Sequence, residues 1–194
     1  MNTLCFATNN LGKLKEIQAL LGNTILLQSL IDIGCTEDIP ETGATIEENS
    51  TLKSQYVWEN YGIDCFADDT GLEVTALNNE PGVYSARYAG SACIAEDNMN
   101  LLLENLSSHI DKTARFKTIV TLVQSGNYHQ FEGIVEGTII EKKRGNKGFG
   151  YDPIFVPNGY NKTFAEMEME EKNIISHRGK AIQLLVTFLQ SRHQ

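Results

Sequence analysis

The sequence predicts an α/β fold with a mixed β-sheet, on three observations. Short apolar strand-like runs alternate with segments of helical period along the whole chain. Two long runs, 114–124 and 128–141, are separated by Ser125, Gly126 and Asn127 and read as a β-hairpin. No linker and no internal repeat divides the 194 residues, so a single domain over 1–194 is expected.

Taken in order, "TLCFA" is a strand and "KLKEIQALLG" a helix, with Leu14, Ile17 and Leu21 on one face and Gly22 as its stop. "TILLQSL" is a second strand. "ATIEENSTLKSQYVWENYG" is a helix opened by the Thr45/Glu48 capping box and closed by Gly62. "IDCFA" and "LEVTAL" are strands flanking Asp68 and Asp69, and "NNEPGVYSARYAGS" is an exposed, turn-rich loop. "AEDNMNLLLENLSSH" is a helix and the hairpin follows. "KKRGNKGFGYDPIFVPNG" is a glycine-rich loop, "TFAEMEMEEK" a short capped helix, and "RGKAIQLLVTFLQ" the terminal helix.

Composition narrows the function. Hydrophobic residues make up 41% and charged residues 21%, as in folded globular proteins. The net charge of −9 repels polynucleotide phosphate, so no nucleic-acid polymer is expected as partner. A small anion escorted by a divalent metal suits it better. No stretch is long and apolar enough to span a bilayer, and "MNTLCFATNN" lacks a basic region before its apolar run, so neither membrane nor signal peptide is expected and the location is cytoplasmic. Cys5, Cys35, Cys65 and Cys93 are dispersed and read as reduced thiols, not as a zinc site or a disulfide framework.

Four polar clusters carry the chemistry. In "ATNNLGK", Thr8, Asn9 and Asn10 precede a helix start at which Leu11, Gly12 and Lys13 follow, a place that attracts phosphate, although Asn10 as a simple N-cap and Lys13 as a solvated charge would look the same. It is not a Walker A loop. In the second, helical spacing from Ile46 puts Asn49 and Lys53 in the apolar stripe with Tyr56 and Val57; they line an anion pocket, or Lys53 snorkels at the stripe's edge. Glu47 and Glu48 suit the helix start, which leaves Glu41 in the preceding loop as the metal-ligand candidate.

Asp68 and Asp69 are the third cluster. Neighbours in an extended chain face opposite ways, so the two have separate roles, one meeting a hard cation or activating water and the other orienting a lysine or a backbone group. Mg²⁺ binds one or two carboxylates plus water and phosphate, which suits Glu41 with Asp69. The plainer alternative is an Asp-Thr-Gly turn. The fourth is "GNKGFGYDP" with "EKNIISHRG". Its glycines allow close approach, Phe149 and Tyr151 offer flat surfaces around Gly150, Asp152 accepts from a ring N–H and Arg178 donates to a ring carbonyl, which equips it to read a purine. Ser176 as a helix cap and His177 as a partly buried structural histidine are the plainer alternatives.

With these residues in view, the sequence resembles the inosine triphosphate pyrophosphatase family through "ATNNLGK", "ETGATIEENSTLK", "ADDTGLEV", "PGVYSARYAG", "GFGYDPIF" and "EEKNIISHRGKA", in the family's order over nearly the whole chain. Asn9 stands where that family commonly has Gly. The resemblance implies an elongated mixed β-sheet flanked by helices, inosine-triphosphatase-like, and a homodimer. It implies Mg²⁺-dependent hydrolysis of a small purine nucleoside triphosphate (ITP, dITP or XTP) to the monophosphate and pyrophosphate. It puts the triphosphate on Thr8, Asn9, Asn10, Leu11, Gly12 and Lys13 with Lys53 and Lys172, and the metal on Glu41 and Asp69. Asp69 would also be the base, Asp68 its support, and Thr70 a substrate contact. The base would lie on Phe149, Gly150, Tyr151, Asp152, His177 and Arg178. A Maf-type pyrimidine pyrophosphatase and a silent nucleotide sensor are the competing readings; "SHR" disfavours the first, and Glu41, Lys53, Asp68 and Asp69 the second.

Overall fold

The computed structural model describes residues 2–22 and 25–191. Among the described residues, seven strands make one mixed sheet in the order β2-β1-β3-β5-β6-β7, with β4 pairing β3 off that path. The strands are β1 (Asn2–Phe6), β2 (Ile25–Gln28), β3 (Cys65–Val74), β4 (Pro81–Gly82), β5 (Thr113–Gln124), β6 (Asn127–Ile139) and β7 (Phe155–Pro157). The helices are α1 (Leu11–Leu21), α2 (Ile46–Tyr61), α3 (Ala95–Leu106), α4 (Met169–Ile175) and α5 (His177–Ser191). β1 runs parallel to β2 and β3, whereas β3–β4 and β6–β7 are antiparallel.

The chain divides into two compact units, neither of them continuous in sequence. The first comprises Met1–Asp69, Thr118–Gly133 and Arg178–Gln194. β1, the first part of β3 and the second half of β5 are buried on both faces, so the two-residue period of a strand sorts their side chains between two helical layers. Leu4, Phe6, Phe66, Val120 and Leu122 pack with Ile17 and Leu21 of α1 and with Ala181, Ile182, Leu185 and Leu189 of α5. Cys5, Ala7, Cys65, Ala67 and Val123 pack on the other face with Val57 of α2. Phe6 and Phe66, register partners in β1 and β3, stack with centroids 4.7 Å apart. Burying such a ring is worth about 2 kcal/mol.

The second unit comprises Thr70–Lys117 and Ile134–His177. Its core joins Leu72 and Val74 of β3 to Met99, Leu102 and Leu106 of α3, Phe116 of β5, Val135 and Ile139 of β6, and Phe155, Phe164 and Met167.

Several boundaries differ from the sequence reading, each for a local reason. α1 starts two residues early because Asn10 caps it, its Oδ1 accepting from the Gly12 and Lys13 amides at 2.9 and 3.1 Å. The two strands expected around the aspartates are one ten-residue strand, β3, and the Thr75–Leu77 stretch is a 3₁₀ turn. The 78–91 loop carries β4 and a 3₁₀ turn at Ser85–Arg87, tied down by Ser85 Oγ, which accepts from Leu72 N at 2.8 Å. The glycine-rich loop includes β7. "TFAEMEMEEK" is a Thr163-capped 3₁₀ turn, Phe164–Glu166, followed by the start of α4. β2 begins at Ile25; the expected start at Thr24 lies outside the described residues.

Candidate active site

In the first unit, the strand period decides where the two aspartates go. Asp68 shares its face with Phe66, the α1 and α5 side; Asp69 shares its face with Cys65 and Ala67, the α2 side. On the first side, Lys13 Nζ donates to Asp68 Oδ1 at 2.9 Å and Arg178 Nε to Oδ2 at 3.0 Å. Arg178 also bonds through Nη1 to Glu16, so α1, β3 and α5 meet in a buried chain of alternating charge. Burial opposes ionisation of Asp68, but Lys13, Arg178 and Lys53 outweigh it and hold the carboxyl well below its usual range. Burial lowers the Lys13 pKa, and Lys53 and Arg178 lower it further against the pull of Asp68.

On the α2 side, Lys53 Nζ donates to Glu41 Oε1 and to the main-chain oxygen of Asp68, both at 2.7 Å, and stands 3.5 Å from Asp69 Oδ1. Burial works against its charge, yet Asp69, Asp68 and Glu41 raise its pKa above the ordinary value. For Asp69 the balance goes the other way: burial raises its pKa despite Lys53 and Lys13, with Glu41 and Asp68 adding to the rise. Its Oδ2 is buried and accepts no hydrogen bond.

The structure thus brings together Lys13, Glu41, Lys53, Asp68 and Asp69, and adds Glu16, which sequence reasoning missed. The available signal was its place three residues after Lys13, one turn along the same helix. Several of the expected site residues already have partners here. The amides of Gly12 and Lys13, offered to phosphate by the sequence reading, are bonded to Asn10, and Leu11 is 70% exposed. Thr8 Oγ1 accepts from Asn10 N at 3.2 Å, and Asn9 is exposed. Asn49, expected in the anion pocket, is buried and accepts from Gly43 N at 2.8 Å. Arg178, expected to read a base carbonyl, is 1% exposed and its Nε and Nη1 face Asp68 and Glu16.

The second unit holds Thr70, half-buried, and the expected base-reading residues other than Arg178, which belongs to the first. Asp152 is buried; its Oδ2 accepts from the Phe149 amide at 2.9 Å and from Lys172 Nζ at 2.8 Å. Gly148 has φ +73°, and a Cβ there would fall 2.0 Å from Asp152 Oδ2, so only glycine lets the loop close over that carboxylate. Gly150 also takes a positive φ. Phe149 is 40% exposed, with the Lys172 ammonium 5.1 Å from its ring centre. Lys172 therefore belongs with Asp152 and Phe149. Tyr151 is no open platform: it is a core residue whose hydroxyl donates to Ser85 O at 2.9 Å. His177 is buried with its ring stacked on Phe116, centroids 4.6 Å apart.

No group of three or more His, Cys, Asp or Glu among the described residues is placed to hold a metal by itself. An Mg²⁺ site does not require one, since water and substrate phosphate complete its six oxygens. No helix among the described residues is long and apolar enough to cross a membrane.

This arrangement has relatives. The chain is 56% identical over 186 residues to the dITP/XTP pyrophosphatase of Flavobacterium johnsoniae, covering 96% of this chain and 97% of that protein. It is 51% identical over 191 residues to the dITP/XTP pyrophosphatase of Porphyromonas gingivalis, covering 97% and 98%. The solved structure of the Staphylococcus aureus Ham1 protein superposes with a TM-score of 0.90 at 38% identity, covering 98% of this chain and 100% of that one. A Coxiella burnetii HAM1 protein gives 0.91 at 36% identity, with the same coverage. The family model described as Ham1 matches residues 4–188, and the chain belongs to the Ham1 family.

Proposed function

We propose that this chain hydrolyses deaminated purine nucleoside triphosphates, ITP, dITP and XTP, to the nucleoside monophosphate and pyrophosphate, clearing them from the cytoplasmic nucleotide pool. The observation that carries the reading is the Asp69 carboxylate, one oxygen beside Lys53 and the other buried without a hydrogen bond. A buried acceptor left in that state fits a hard cation or a water proton. The surrounding charge agrees. Glu16, Glu41, Asp68 and Asp69 outnumber Lys13, Lys53 and Arg178 by one, a deficit that a divalent cation reverses before a polyanion arrives.

Glu41 and Asp69 would hold Mg²⁺, which when bound neutralises phosphate charge and makes its water more acidic. The chain's own residues do the rest. Lys53 fixes Glu41 and one oxygen of Asp69, leaving Oδ2 as the acceptor for the proton of the attacking water. Lys13 and Arg178 keep Asp68 ionised, so that its carboxylate takes no proton from the water. Thr8, Asn9, Asn10 and Lys13 are assigned to the phosphates, Thr70 to a further substrate contact, and Asp152, Lys172 and Phe149 to the base. Ionised Asp152 only accepts and Lys172 only donates, which suits the N1–H and 6-keto oxygen of hypoxanthine or xanthine and mismatches adenine at both positions.

The active form is assigned as a homodimer through the 81–90 loop, where Tyr84 is 55% exposed with the Arg87 guanidinium 5.2 Å from its ring centre. The test of the reaction is ion-exchange analysis of ITP, XTP, GTP and ATP incubated with Mg²⁺ or EDTA. Pyrophosphate from ITP and XTP with Mg²⁺ only is the expected result. Orthophosphate as the first product, or undiminished activity in EDTA, overturns the reading.

A further inference from the structure

We infer that Asn49 and Gly43 clamp the loop that carries Glu41, so that Asn49 is a positioning residue for the metal and not a contact of the nucleotide. The inference rests on the assignment of Glu41 to the metal and adds the device that places it. Glu41 sits on a loop, and a carboxylate on a loop is only as well placed as its backbone.

That backbone is held against the first turn of α2 at consecutive residues. Gly43 N donates to Asn49 Oδ1 at 2.8 Å, and Ala44 N donates to Glu48 Oε2 at 2.6 Å. Thr45 Oγ1 in turn accepts from Glu48 N at 3.1 Å, which locks the helix start to the same stretch. The contact is too close for any side chain at position 43. A Cβ there would lie 2.7 Å from Glu48 Cβ, 2.8 Å from Asn49 Oδ1 and 3.0 Å from Asn49 N, and the backbone nitrogen has nowhere to move.

Asn49 is fully buried and its Nδ2 has no hydrogen-bond partner. The carboxamide is oriented by its oxygen, because the Gly43 N–H requires an acceptor. A core position that leaves a donor unsatisfied is retained where the side chain does something an apolar one cannot, and the Gly43 bond is that task. One turn along the same face, Lys53 holds Glu41 Oε1 at 2.7 Å. The Glu41 loop is thus fixed twice from one helix face, at the Glu41 side chain through Lys53 and at the Gly43 amide two residues on through Asn49.

The experiment uses Mn²⁺ alone as probe, with binding read by electron paramagnetic resonance without nucleotide. The variants are Glu41→Ala, Asn49→Ala, Gly43→Ala and the Gly43→Ala/Asn49→Ala pair. Asn49→Ala and Gly43→Ala should each weaken Mn²⁺ binding about tenfold, in the range found for residues that orient ligands. KM for ITP at saturating metal should stay within about twofold of wild type. The double variant should bind no worse than the weaker single, because Gly43→Ala already displaces the segment that Asn49 holds. Unchanged Mn²⁺ affinity in Asn49→Ala with a raised KM would make Asn49 a nucleotide contact and overturn the clamp alone, as would additive losses in the pair. Unchanged affinity in Glu41→Ala would overturn the metal assignment and the clamp with it.

Discussion

Lys53 Nζ stands 3.5 Å from Oδ1 of Asp69, while the second oxygen of that carboxylate is buried and unbonded. The ionised group is therefore stabilised on one side only, and burial holds its pKa above the ordinary 3.8. A raised carboxyl pKa means that the native protein takes up this proton at a higher pH than the unfolded chain. Protonating Asp69 stabilises the fold as pH falls from the folded value towards 3.8, and the ionised form costs stability above that window. Asp69→Asn should accordingly raise Tm near neutral pH while lowering turnover by at least ~10²-fold, the scale of losing a positioned base. A lower Tm with near-normal turnover would contradict both halves.

Asp68 gives the opposite sign. Its folded pKa is depressed, so its contribution to stability is present above 3.8 and is lost as pH falls below that value. Asp68→Asn leaves Lys13 and Arg178 facing a neutral group in a buried site, at a cost of about 3 kcal/mol at pH 7. Urea unfolding of wild type and variant at pH 7 and pH 3 should show that difference shrinking in acid. A difference that is constant with pH would mean that the loss is one of packing.

Arg178 and Glu16 should behave as one unit. Arg178→Ala takes a cation from both Glu16 and Asp68 and should cost about 3 kcal/mol, whereas Glu16→Gln leaves Arg178 paired with Asp68 and should cost less. The double variant should cost less than the two together. Additive effects in a double-mutant cycle by denaturant unfolding would break the link.

Asp152→Ala should release both the Phe149 amide and the Lys172 ammonium. Each mismatched buried group is worth about 1 to 3 kcal/mol, so kcat/KM on ITP should fall at least ~10-fold further than on ATP. Equal losses on the two substrates would remove Asp152 from base selection.

Light scattering at micromolar concentration should give the mass of a dimer, and Tyr84→Ser with Arg87→Ser should shift it towards that of a monomer. A monomer in the wild type rejects the assignment of the 81–90 loop.

Local signals were legible wherever they are complete within a few residues. Thr45 and Gly62 bound α2 as read from the sequence, Gly62 at φ +63°. The Ser125–Gly126 turn, with φ +50° and +78°, sets the hairpin. The paired aspartates stood out because two adjacent carboxylates at the end of an apolar run need compensation. Their continuity in one strand was not legible, since it depends on Lys13 and Lys53, 55 and 15 residues away along the chain. The partners of Arg178 were hidden for the same reason. Nothing near "SHR" announces that Glu16, 162 residues earlier, and Asp68 face its side chain. The ion pair of Lys172 was not legible either, because a lysine reads as a phosphate ligand until the buried carboxylate beside it is seen.

The chain passes between its two units at 69/70, 117/118, 133/134 and 177/178. Neither unit can therefore be obtained by deleting one end of the protein or by cutting once. A ribosome-bound chain of 170 residues has made Glu16 and Asp68 but not the cation at 178 that lies between them, so their buried carboxylates must stay hydrated until α5 arrives. The same helix supplies Ala181, Ile182, Leu185 and Leu189 to the core beneath Phe6 and Phe66. Assembly around Asp68 thus waits for α5, and a chain cut short before α5 is expected to be recognised by the cell's proteases as unfinished, not to persist as a partial enzyme.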